Sequence, residues 1–137
     1  NVRHLMDQWR TLLLQAKGKS FLPGSMGINL WKAFDPGTVA TFGGTSGQVV
    51  SFGGALYRVP EGLHHGPDVT QYEAAFAHLH ELLPAFRAAG ATQFILHMRR
   101  TCRGLCNEEF TRSELKLLAS LDCDLFYAAR EGWQDDA

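Results

Sequence analysis

One run of the chain constrains the fold more than any other. Val69, Tyr72, Phe76, Leu79, Leu83 and Phe86 are spaced 3, 4, 3, 4 and 3 residues apart. That spacing follows the 3.6-residue period of an α-helix and lines six large apolar side chains along one stripe. A helix in water draws most of its stability from burying such a face, so the chain must supply a sheet or a second helical layer beneath it. Asp68 with Gln71 three residues later has the shape of a capping box, and Gly90 is a suitable stop, which predicts a helix over residues 68–90. Pro84 cannot donate to the carbonyl of His80 and should bend or break this helix. Glu73, His78 and Glu81 fall on its solvent side.

The remaining elements follow from period and punctuation. Val2, Leu5, Met6, Trp9, Leu12, Leu13 and Ala16 recur at steps of mostly three and four, predicting a helix that Gly18 ends. Residues 28–34 read as a strand closed by the turn Asp35-Pro36-Gly37. Residues 38–42 and 48–52 read as a hairpin across the glycine-rich segment 43–47, and residues 55–59 as a further strand. Phe-Gly-Gly occurs at 42–44 and again at 52–54, which suggests equivalent strand ends needing positive φ or a bulge. Residues 92–99 form a strand with Phe94, Leu96 and Met98 on one face and Ile95 and His97 on the other. Thr111 and Glu114 make a capping box ahead of Leu115, Leu118 and Leu121, and residues 124–129 a last strand. Residues 132–137 read as a frayed acidic tail. The expected architecture is one α+β domain over residues 1–137, its mixed or antiparallel sheet packed against one long and two shorter helices. The final strand–helix–strand unit is compatible with a parallel crossover.

Composition excludes several classes. The chain has 137 residues, 45% hydrophobic and 20% charged, with a net charge of −1, so it is globular and lacks the broad basic surface that duplex binding uses. Nucleic acid is therefore an unfavoured partner. No run of 18 or more apolar residues is present to span a membrane as a helix. The N-terminal residues lack a signal-peptide layout, with Met6 a candidate native start, and three cysteines are too few for a disulfide framework. Together these predict a cytoplasmic protein with free or metal-bound thiols.

Five groups of residues invite a chemical reading. His97, Cys102, Cys106 and Cys123 are the types a tetrahedral zinc site uses, but Cys123 has no close neighbour to complete a second knuckle, so no metal or other cofactor is expected. Cys102 and Cys106 lie among Arg99, Arg100 and Arg103, cations that would favour a thiolate, yet no base stands at a known spacing and no catalytic residue is assigned. His64 and His65 are adjacent in a loop, while His78 and His80 point to different sides of the long helix. The segment 43–47 has neither the lysine nor the following helix of a phosphate loop. The three arginines suit an acidic partner surface.

The elements built on Glu73–Leu83, on Phe110-Thr111-Arg112-Ser113-Glu114-Leu115 and on Leu117–Tyr127 are arranged as in small bacterial immunity proteins of polymorphic and contact-dependent toxin systems, and the C-terminal half of the chain resembles that family. The resemblance implies a cytoplasmic α+β protein, more a binder than an enzyme, that occludes the active site of a cognate toxin. Trp31, Asp35, His64, His65, Arg99, Arg100, Arg103 and Trp133 are the expected partner contacts, since aromatic and arginine side chains most often anchor interfaces. The alternative is a small enzyme or ligand-binding protein with a Cys/His site drawn from Cys102 or Cys106 and His97.

Overall fold

A computed structural model describes residues 8–64, 72–102 and 109–131. Five strands, β1 (Gln8–Gly18), β2 (Lys32–Phe34), β3 (Gly53–Arg58), β4 (Gln93–Cys102) and β5 (Asp124–Glu131), form one sheet in the order β2-β3-β1-β4-β5. All neighbours are antiparallel except β4 and β5, which run parallel across a connecting helix. The sheet is therefore mixed, within the expected α+β class. The described helices are α1 (Glu73–Ala88) and α2 (Arg112–Ser120), with 3-10 turns at Pro23–Ser25 and Glu61–Leu63.

From Gln8 onward the segment expected to be an N-terminal helix is instead β1, the central strand, while residues 2–7 lie outside the described residues. Burial alternates along β1. Arg10, Leu12, Leu14 and Ala16 are buried, while Thr11, Leu13 and Gln15 are half-buried. The contiguous run Leu12-Leu13-Leu14 fits a helical or a strand period equally well, and pairing with β3 on one side and β4 on the other decides between them. The layer thus has one long and one shorter helix among the described residues, not one long and two shorter.

The stripe on α1 is where its spacing puts it. Tyr72, Phe76, Leu79, Leu83 and Phe86 are all buried, in one cluster with Leu12, Leu14 and Ala16 of β1 and Phe94, Leu96 and Met98 of β4. Register explains the match, because Leu12 pairs with Met98, Leu14 with Leu96 and Ala16 with Phe94, and directly paired residues share a face. Pro84 lies inside α1 without ending it. It is on the exposed side, where a carbonyl that loses its intrahelical donor can be hydrated. His78 is half-buried instead of solvent-facing, its Nε2 2.7 Å from the Tyr57 hydroxyl. Asp68, Val69 and Gln71 lie outside the described residues.

Helix α2 has the expected capping box, with the Glu114 N–H donating to Thr111 Oγ1 at 3.1 Å and the Thr111 N–H to Glu114 Oε1 at 2.7 Å. Glu114 is also buried and accepts the N–H of Tyr72 through its other oxygen. One carboxylate therefore serves the start of both helices, where the helix dipole favours negative charge. The inward face of α2 is consequently Glu114, Leu117, Leu118 and Leu121, while Leu115, expected inside, is exposed.

Between β2 and β3 the expected hairpin is reduced to a bridge, Val39 to Val49, flanked by Ala40 N to Gln48 O at 2.8 Å and Val50 N to Thr38 O at 3.1 Å. The two Phe-Gly-Gly copies are not equivalent. Gly43 has a φ of +82°, the left-handed region expected for a turn. Gly53 is instead required by close approach, since a Cβ there would overlap the carbonyl oxygen of Phe21.

Candidate functional site

Both described helices belong to one face of the sheet. On the other, the register brings Leu13 of β1 beside Arg58 of β3 and His97 of β4, and His97 beside Phe126 of β5. The next row is Gln15, Leu56, Ile95, Lys32 and Asp124. At one end Phe34, Phe42 and Phe52 cluster over this face, with Phe34 ring centroids 5.1 Å and 5.7 Å from the other two. Among the described residues nothing comparable covers the rest. Leu13, Gln15, Ile95 and His97 form a half-buried floor, with Phe126 52% exposed on one side and Trp31 46% exposed on the other.

Cations border this floor. The Arg58 guanidinium lies 4.0 Å from the Trp31 ring centroid and the Lys32 ammonium 4.9 Å from it, both within cation–π range. Lys17 sits at the end near Phe52, 5.4 Å from that ring, beside a groove of about 540 Å³ lined by Lys17, Lys19, Ser20, Phe52, Thr92 and Gln93. Arg99 is exposed two residues along β4 from His97. Asp124 is the described carboxylate on the same face, so the surface carries more positive charge than a chain of net −1 would suggest. His97 Nε2 lies 2.9 Å from Gln15 Oε1, to which it donates in the Nε2-protonated tautomer, and its ring centroid lies 5.6 Å from that of Phe126. Burial, and then the nearby Arg99 charge, hold its pKa below the ordinary histidine value. At neutral pH His97 is an uncharged member of an amphipathic floor.

The expected contact residues divide sharply by strand parity. Trp31, Asp35 and Arg99 are exposed, and Trp31 and Arg99 border the open face. Arg100 points the opposite way from Arg99 and is buried, paired across strands with Arg10. His64 is also buried, its Nε2 3.3 Å from the Val59 carbonyl oxygen, so neither Arg100 nor His64 is available as a surface contact. His65, Arg103 and Trp133 lie outside the described residues.

Parity also disposes of the metal and nucleophile alternatives that combine His97 with Cys102. His97 is on the open face and Cys102 is buried on the helix-bearing face of the same strand, so the two cannot converge on one atom. Cys102 is moreover disulfide-bonded, against the expectation of free thiols. Cys123 is free and half-buried. Its pKa is raised by burial first and then by Asp124 and Asp122, which is the reverse of an activated thiol. Among the described residues, no group of three or more His, Cys, Asp or Glu could hold a metal ion. Cys106 lies outside them.

Sequence reasoning passed over a buried polar end of the core. Arg10, His64, Arg100 and Glu114 are all below a tenth exposed, and Arg10 spans the gap between the His64 carbonyl oxygen at 3.4 Å and the Tyr72 ring at 5.5 Å. The signal that could have found it is the alternation Arg10, Leu12, Leu14, Ala16, which puts an arginine in line with core positions once β1 is read as a strand. The same alternation would have exposed Leu13 and Gln15 as floor residues. Comparisons with protein-family models, with curated proteins and with solved structures give no match for this chain.

Proposed function

We propose that the chain is a non-enzymatic binding protein whose sheet face opposite the two described helices docks onto a partner protein. The observation that carries this reading is the combination on one open surface of an apolar floor, exposed Trp31 and Phe126, and the cations Lys17, Lys32, Arg58 and Arg99. Contiguous exposed apolar surface rimmed by polar residues is characteristic of interaction sites. Tryptophan and arginine held against each other, as Trp31 and Arg58 are, supply large contact area with little rotamer freedom left to lose. The surplus of positive charge favours a partner with an acidic rim, through encounter rate and orientation more than through affinity.

The resemblance of the C-terminal half to immunity proteins gives this partner a class, a cognate bacterial toxin domain whose active site the open face would cover. Its compartment on that reading is the cytoplasm. No described helix is long and apolar enough to cross a membrane.

Co-expression with the product of a flanking gene, tested first for toxicity on its own, tests the proposal. Wild-type protein should rescue growth, and the double variant Trp31→Ala, Arg58→Ala should lose rescue while melting at an unchanged temperature. A neighbouring gene product that is harmless on its own would count against the immunity reading. Rescue that survives the double substitution would count against the open face.

A further inference from the structure

We infer that the groove at the end of the sheet where β1 leaves and β4 enters is a binding site for a small organic anion, a carboxylate or phosphate carried on an apolar body. The groove has a volume of about 540 Å³, inside the range of roughly 300–1,000 Å³ found for small-molecule sites. Both charged side chains among its described lining are lysines, Lys17 and Lys19. Ser20, Thr92 and Gln93 add two hydroxyls and an amide, each able to donate to an oxygen. Phe52 supplies an apolar wall.

The backbone beneath the groove is held in one geometry. Where the chain leaves β1 it crosses the segment joining α1 to β4. There the Thr92 N–H donates to the Lys17 carbonyl oxygen at 2.8 Å, and the Leu22 N–H to that of Ala89 at 3.0 Å. Glycine is required on both sides of the crossing. A Cβ on Gly18 would overlap the carbonyl oxygen of Gly90, and one on Gly90, whose φ is +107°, would overlap that of Ser20. Both glycines line the groove, so part of its wall is bare, interlocked backbone. A site fixed before binding loses little freedom when a ligand enters.

Lys17 is the charge best placed to hold the anion. It is directly paired with Gln93, so the two side chains share one face of the sheet. The residue is half-buried, and its ammonium lies 5.4 Å from the Phe52 ring centroid, which orders the stem against the ring. Lys19, two residues on, is exposed and borders the same groove. Two cations lining one groove repel a cationic ligand and attract an anionic one. The Phe52 wall favours an anion attached to an apolar group, because a bare ion would leave that wall in water. The site stands apart from the partner-protein reading and is tested on the chain alone.

Heteronuclear NMR titration of the purified full chain with benzoate, phenyl phosphate and uncharged benzyl alcohol tests the inference. The anions should move the amide resonances of residues 17–20 and 90–93 along saturable curves, the tighter of the two identifying the oxyanion as carboxylate or phosphate. Benzyl alcohol should not saturate. Lys17→Gln should raise the dissociation constant about tenfold, the effect of losing one charge-assisted hydrogen bond. Lys19→Gln, at an exposed position where the fold is not at risk, should raise it about threefold. Lys116→Gln removes an equal charge from the exposed surface of α2 and should leave binding as it is in the wild type. Absence of saturable shifts with both anions would overturn the inference. So would benzyl alcohol binding as tightly as the anions, indifference to both groove substitutions, or an equal loss in Lys116→Gln.

Discussion

His97 shows how a single position can carry information that its residue type does not. Its ring is held neutral by partial burial and by Arg99, so its titration midpoint should fall below that of a free histidine. Arg99→Ala should move the midpoint upward only part of the way, because burial is the larger cause; proton NMR of the ring resonances reads both. The stability linkage has a definite sign. A histidine with a lowered folded pKa contributes fully above its unfolded value of about 6.5. Stability then declines as pH falls from there toward the folded value and levels off below it. Removal of this decline in His97→Gln would identify the residue responsible. Glu114 makes the second case at this scale. Glu114→Ala would remove the capping box of α2 and leave the N–H of Tyr72 without its acceptor. A lost cap costs about 1 kcal/mol, and an unsatisfied buried donor costs about 1–3 kcal/mol more, so urea denaturation should show a loss of roughly 2–4 kcal/mol.

At the level of elements, the helices were legible to the extent that their signals were local. The stripe on α1 and the capping box on α2 each specify geometry within a few residues, and both are present. Phe76→Ala, at the centre of the stripe, should cost about 3–5 kcal/mol in thermal or denaturant unfolding. His78→Ala should cost about 1 kcal/mol through the lost bond to Tyr57, more than a surface position would. Strand β1 was illegible for the opposite reason. Its identity depends on Arg58 and Met98, partners that stand more than forty residues away, and an unbroken leucine run satisfies either period. Leu115 was misplaced because the spacing of three leucines outweighed the possibility of a buried glutamate. That burial becomes intelligible only when Tyr72 arrives from another helix.

For the whole molecule, the decisive asymmetry is that both described helices cover one face of a five-stranded sheet and leave the other largely open. The contact residues inferred from the sequence captured this surface only in part. Trp31 and Arg99 border it, but Arg58, Leu13 and Phe126 could be assigned to the same face only from the register of four strands. A net charge of −1 likewise conceals a local surplus of cations, because charge counts carry no direction. The most direct test is the affinity of the proposed protein partner, once captured, for two variants, measured by calorimetry. Arg58→Ala with Trp31→Ala removes side chains from the open face, and Glu73→Ala with Glu81→Ala changes the exposed side of α1. Loss of two interface anchors should weaken binding by roughly 30-fold or more, while the helix variant should bind as the wild type does. Unchanged binding by the first variant together with lost binding by the second would place the functional surface on the helices and contradict the reading of the open sheet.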